Sequence, residues 1–112
     1  MASFYVWETV DLELQLERES GGKVLEDCKN IIVSLEQKNQ LLEKDMSSPD
    51  LGIDYDNDVI ILHLSQEETG KFKPDNSDVV VQINFLYEDN ERDTSVQGTI
   101  RALRNLHRKV MV

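Results

Sequence analysis

Cysteine is almost missing from this 112-residue chain. Cys28 stands alone, so neither an intramolecular disulfide nor a multi-thiolate zinc site can form. Flanked by Asp27 and Lys29, with no neighbouring histidine, it reads as a reduced structural thiol. Cations are also scarce: 12 Lys and Arg face 22 Asp and Glu, a formal net charge of -10. That balance disfavours nonspecific nucleic-acid binding, because releasing counterions from phosphates requires a cationic surface. No apolar run approaches the roughly 18 residues of a membrane-spanning helix. Residues 1–10 lack a basic lead followed by an apolar stretch, so the expectation is a soluble chain without a secretion signal.

Catalytic motifs are missing as well. His63 sits in an apolar strand and His107 in a basic tail, and neither is accompanied by a nucleophile elbow or a Cys/His signature. Gly21-Gly22 is not followed by the Lys-Ser/Thr of a phosphate loop. Asp54-Tyr55-Asp56-Asn57-Asp58 starts like a calcium loop. Counted from Asp54, however, the glycine position holds Val59 and the bidentate Glu position holds Ser65, so an acidic turn is the simpler reading. Carboxylate pairs are plentiful, but on alternating strand positions they read as solvated faces and not as glycosidase chemistry. No enzyme activity, cofactor, metal or small-molecule substrate is expected.

What is present is alternation. A chain of this length hides roughly 65% of its unfolded surface, enough for one core and too little for two. Residues 1–112 are therefore expected to form one domain, with residues 1–3 a flexible lead. Val10, Leu12, Leu14 and Leu16 alternate with Asp11, Glu13, Gln15 and Glu17, the pattern of a half-buried strand with an acidic outer face. Upstream, Phe4-Tyr5-Val6-Trp7 either extends that strand or docks onto the core. Ser20-Gly21-Gly22 reads as a loop. Ile31, Val33 and Leu35 start a hairpin that turns at residues 37–40, with Asn39 the residue best suited to a left-handed backbone, and returns through Leu41-Leu42. One helix over residues 24–46 is the competing reading, weakened by the β-branched run Ile31-Ile32-Val33.

After the break at Ser47-Ser48-Pro49-Asp50, residues 51–55 and 59–64 read as strands joined by a turn at Asp56-Asn57. The second is apolar on both faces and belongs mid-sandwich. Ser65 and Glu68 have capping-box spacing, which predicts one helical turn over residues 66–70, stopped at Gly70, with Phe72 covering the core beside it. Past a loop at residues 73–78, residues 79–87 give the clearest strand, with Val79, Val81, Ile83, Phe85 and Tyr87 on one face. Residues 88–91 turn the chain. Residues 94–103 return it, with Gly98 a bulge or close-packing point. Residues 105–112 fit a strand, a turn or a helix equally well. The pattern predicts an all-β fold: an antiparallel immunoglobulin-like β-sandwich of about six to eight short strands with one helical turn, although the Cys…Trp…Cys hallmark of true immunoglobulin domains is absent.

Charge is unevenly spread. Residues 1–91 hold seven Lys/Arg and 21 Asp/Glu, a balance of -14; residues 92–112 hold Arg92, Arg101, Arg104, Arg108 and Lys109 against Asp93, a balance of +4. Arg101, Arg104, Arg108 and Lys109 with Asp11, Glu13 and Glu17 form the candidate interaction patch. It is used either between copies or neighbouring subunits, or within the chain as neutralisation of the first strand by the last.

The stretch Leu62-His63-Leu64-Ser65-Gln66-Glu67-Glu68-Thr69-Gly70-Lys71-Phe72, followed by a β-branched strand, a charged turn and a close at Leu106 and Val110-Met111, resembles small phage-encoded proteins of Firmicute prophages. Gln37 stands where that family places Gln before its hairpin turn. The chain departs from the pattern at Lys38-Asn39 and Lys109, where glycine is usual, and at Gly70, where leucine is. The resemblance implies an immunoglobulin-like virion protein of the tail, neck or capsid accessory region, assembled in the host cytoplasm and acting by contact with other virion subunits or copies of itself. A free acidic phage protein that occupies a basic host surface is the alternative.

Overall fold

The computed structural model describes residues 2–15, 23–74 and 78–112. The loop expected at Ser20-Gly21-Gly22, the strand end at Leu16 and Glu17, and the middle of the loop at residues 73–78 lie outside them. Among the described residues there are nine strands: β1 (Ala2–Tyr5), β2 (Val10–Leu14), β3 (Cys28–Gln37), β4 (Gln40–Asp45), β5 (Leu51–Asp54), β6 (Val59–Leu64), β7 (Val79–Tyr87), β8 (Arg92–Thr94) and β9 (Gly98–Leu103). A 3-10 turn at Leu25–Asp27 precedes β3, and α1 (Gln66–Gly70) links β6 to β7.

The strands form two sheets. The larger runs β1-β9-β7-β3-β4, with β8 added on β7, and the smaller runs β2-β6-β5. Every pair is antiparallel except β1 with β9. Consecutive strands thus switch layers repeatedly, the Greek-key arrangement of an immunoglobulin-like sandwich. Nine strands exceed the expected number for two reasons. The Phe4–Trp7 segment does not extend β2, because its first half becomes β1 in the opposite sheet, with Ala2 and Ser3, expected as a flexible lead, paired to Ile100 and Arg101. The return strand is also split at Ser95: the Ile83 N–H bonds the Ser95 hydroxyl at 2.9 Å while the Ser95 N–H bonds the Ile83 carbonyl at 2.8 Å. A side chain here replaces a ladder carbonyl, and the irregularity lies three residues before Gly98, which opens β9.

Alternation builds the core. Val79, Val81, Ile83, Phe85 and Tyr87 of β7 are all buried, as are Ile31, Val33 and Leu35 of β3, facing Leu12 and Leu14 of β2 and Ile60, Leu62 and Leu64 of β6. Each such side chain contributes about 1.5–3 kcal/mol on leaving water. Cys28 is buried. β6 is the central strand of its sheet, but its outward Val59 and Ile61 are only half-buried and His63 is exposed, so its second face is not covered as its apolar run implied.

The helix considered over residues 24–46 is absent; β3 and β4 form a hairpin closed at Gln37↔Gln40. Lys38, not Asn39, takes the positive φ, at 51°. The reason lies in Gln37, which is buried and exchanges two hydrogen bonds with the main chain of Lys73, donating from Nε2 at 2.7 Å and accepting at Oε1 at 2.7 Å. That clamp fixes the last residue of β3, and the chain must reverse at the next one. α1 forms with its capping box intact: Ser65 Oγ accepts from the Glu68 N–H at 3.2 Å, and Glu68 Oε1 accepts from the Ser65 N–H at 2.9 Å. Phe72 is buried edge-on against Phe4, ring centroids 5.9 Å apart. Residues 105–112 adopt neither strand nor helix.

Candidate functional site

The residues of the proposed patch fall on separate surfaces. Asp11 and Glu13 project from the outer face of β2, between the buried Leu12 and Leu14. Arg101 projects from β9, 3.9 Å from Asp78. Arg104, Arg108 and Lys109 are exposed on the irregular segment after β9, and Glu17 lies outside the described residues. Among the described residues, no ion pair joins these cations to Asp11 or Glu13.

That segment, residues 104–112, runs as an arm along one end of the sandwich. Asn105 Nδ2 donates to the Val6 carbonyl at 3.0 Å. Farther on, Gln66 of α1 holds Met111 at both main-chain groups, accepting from its N–H at 2.8 Å and donating to its carbonyl at 3.2 Å. Between and beyond these ties the side chains point into solvent: Leu106 is 86% exposed and Met111 69%. The segment is thus apolar, basic and exposed.

Asp11 has a local partner across the strand pair. Its carboxylate lies 2.7 Å from Nδ1 of His63, its register neighbour on β6. The pair is exposed, and among the described residues no hydroxyl or thiol hydrogen-bonds to the imidazole. The acidic turn at residues 54–58 is folded on itself: Asp54 accepts from the Asn57 N–H at 3.2 Å and from Asn57 Nδ2 at 2.8 Å, which lowers its pKa, and Asp58 takes a φ of 56°. Its carboxylate is thus engaged in the turn. No group of three or more potential metal ligands occurs among the described residues.

One cluster escaped the sequence reading. Lys44, at an inward register position opposite Val33, sends its ammonium to Asp50 at 2.6 Å and Glu68 at 2.7 Å, and its side chain is only 9% exposed. Burial pulls the Lys44 pKa down, but the hydrogen bonds it donates to Asp50 and Glu68, with their negative charge, outweigh it and leave it raised. The Lys44 hydrogen bond holds Asp50 below the usual carboxylate range. Burial pushes Glu68 up, and its bonds from Lys44 and the Ser65 N–H bring it lower still than an ordinary glutamate. The cluster ties β4, the turn before β5 and α1 together. Its signal was available: the β4 pattern puts Lys44 on the same face as Leu42 and Met46, where an unpaired ammonium would be costly.

A groove of about 570 Å³ opens between the sheets on the β2 side, walled by residues 10–15 on one side and Gly98, Thr99 and Ile100 on the other. Among the described residues, β2 ends the smaller sheet and pairs on one side only, with β6. The groove lining includes the buried Leu12, Leu14 and Ile100 together with the exposed Asp11 and Glu13. Among the described residues, no helix is long and apolar enough to cross a membrane. No protein-family model, curated protein or solved structure matches this chain.

Proposed function

We propose that this chain is a non-enzymatic structural subunit of a bacteriophage particle, from the tail, neck or capsid accessory region, which acts through contacts with other virion subunits and with copies of itself. The observation that carries this reading is the separation of exposed charge on a rigid sandwich: carboxylates on β2, cations on β9 and the arm, with no ion pair between the two sets among the described residues. A monomer that needed only its own stability gains nothing from holding complementary patches apart. A subunit that must be oriented against a neighbour does, since such patches steer encounter and register. The phage-protein resemblance of residues 62–72 supports the same reading, as do the unpaired sheet edges, which suit main-chain docking.

Mass spectrometry of purified particles tests it. The expected result is the chain present at a fixed copy number relative to the major structural proteins and retained through density-gradient purification. Its absence from the particles overturns the proposal.

A further inference from the structure

The groove beside β2 and the arm at residues 104–112 are complementary in three respects. In charge, Glu13 and Asp11, the latter also meeting His63 at 2.7 Å, lie on the outer face of the strand that lines the groove, while Arg104, Arg108 and Lys109 lie on the arm. In polarity, the groove floor is apolar, and Leu12 and Leu14 keep 6% and 7% of their surface exposed where the β7 core residues keep 0–2%. The arm offers Leu106, Val110 and Met111. In length, the five residues of β2 span about 17 Å, and a seven-residue stretch of arm laid extended covers about 23 Å. The edge of β2, unpaired among the described residues, also presents main-chain donors and acceptors that an extended arm can meet.

We infer that the groove along β2 receives the arm of a second copy of this chain, which adds as a strand or strand-like segment with its cations against Asp11 and Glu13. The inference rests on the reading of the chain as a contact subunit. The occupant is another copy because the chain's own arm leaves from the wrong place. The groove wall is the first half of β9, at Gly98–Ile100, whereas the arm departs after Leu103 and heads past Val6 to Gln66. The bonds that park the arm on Gln66 are exposed, so water replaces them readily when the arm lifts. Each copy gives an arm and receives one. The contact closes reciprocally, as a twofold arm-exchanged dimer, or runs head to tail into a ring or open filament.

Charge reversal on the intact chain tests this. The variants are Arg108→Glu with Lys109→Glu on the arm, and Asp11→Lys with Glu13→Lys on the groove, all exposed positions outside the core. The wild type is expected to self-associate in sedimentation experiments, and less so at high salt. Either reversal should weaken association at least about tenfold, and an equimolar mixture of the two variants should restore it, because every arm then again meets a groove of opposite charge. A second readout does not depend on affinity: Glu13→Cys mixed with Met111→Cys should give a disulfide-linked pair on mild oxidation, with buried Cys28 left reduced.

A monomer under all conditions, reversals without effect, a mixture that stays dissociated, or no cross-link overturns the inference. If the chain is found in particles yet remains monomeric, only the arm-in-groove contact falls. If it associates as described but is missing from particles, the contact stands and the virion reading falls.

Discussion

Gly70 shows how a single residue answers to a distant one. From the sequence it reads as the stop of a short helix, and α1 does end there. The structure adds a second reason: a Cβ at this position would lie 2.4 Å from Cε3 of Trp7, so the indole rests directly on the glycine backbone. Trp7 itself has a φ of 68°, an unusual conformation for an aromatic residue, at the point where the chain leaves β1 for the opposite sheet. The buried Thr69 hydroxyl supports the same crossing by donating to the Glu8 carbonyl at 2.8 Å. Gly70→Ala should therefore cost about 1–3 kcal/mol, as for overpacking a filled site, read as a lower urea midpoint with an altered emission from the only tryptophan. An unchanged midpoint would mean the indole has room to move. None of this was legible beforehand, because no local pattern links residue 7 to residue 70.

At the scale of elements, the Lys44 cluster couples the β4 edge to α1. Its carboxylates, Asp50 and Glu68, have folded pKa values below their unfolded ones, so their contribution is complete above about pH 4 and is lost as the pH falls through the lower folded values. Lys44 has the opposite sign: its raised pKa contributes fully below about pH 10.4 and is lost as the pH climbs through the folded value. Lys44→Met should lower stability near neutrality by about 1–3 kcal/mol, because two carboxylates lose their partner. It should also shrink the loss seen between about pH 4 and pH 2, measured as urea midpoints across that range. Acid sensitivity carried by Asp45, Asp54 and Asp89 should persist, since Ser47, Asn57 and Lys23 hold those groups independently. The strands themselves were the legible elements. The five inward residues of β7 and the Ser65–Glu68 capping box needed no tertiary information, because each depends on its own spacing. The split of the return strand at Ser95 was hidden, because it depends on a serine hydroxyl taking the place of a carbonyl in a ladder with Ile83.

For the whole molecule, salt should act in two opposite directions. The formal charge of -10 sets carboxylates against one another within a copy, so screening should raise the thermal midpoint by a few degrees. The same screening should weaken arm-to-groove contact between copies. Calorimetry and sedimentation over one salt series, at dilute and high protein concentration, would separate the two; a midpoint that falls with salt in the dilute monomer would show that local pairs such as Lys44 with Glu68 outweigh the general repulsion. The architecture was recoverable from period-two alternation and close turn spacing, whereas the assignment of strands to sheets was not. Phe4 could be read beside β2 or against the core, and only the register Ala2↔Ile100 places its strand.

That parallel pair also governs how the chain reaches its fold. β1 pairs with β9, and β9 in turn lies against the start of β7, so the larger sheet closes through residues from nearly opposite ends of the described chain. Local hairpins such as β3–β4 can form early, but this closure must search over nearly the full sequence. Folding is accordingly expected on the millisecond-to-second scale of all-β domains. During that interval the β9 edge stays open, and a newly made chain is most exposed to pairing with the wrong neighbour before its own first strand arrives.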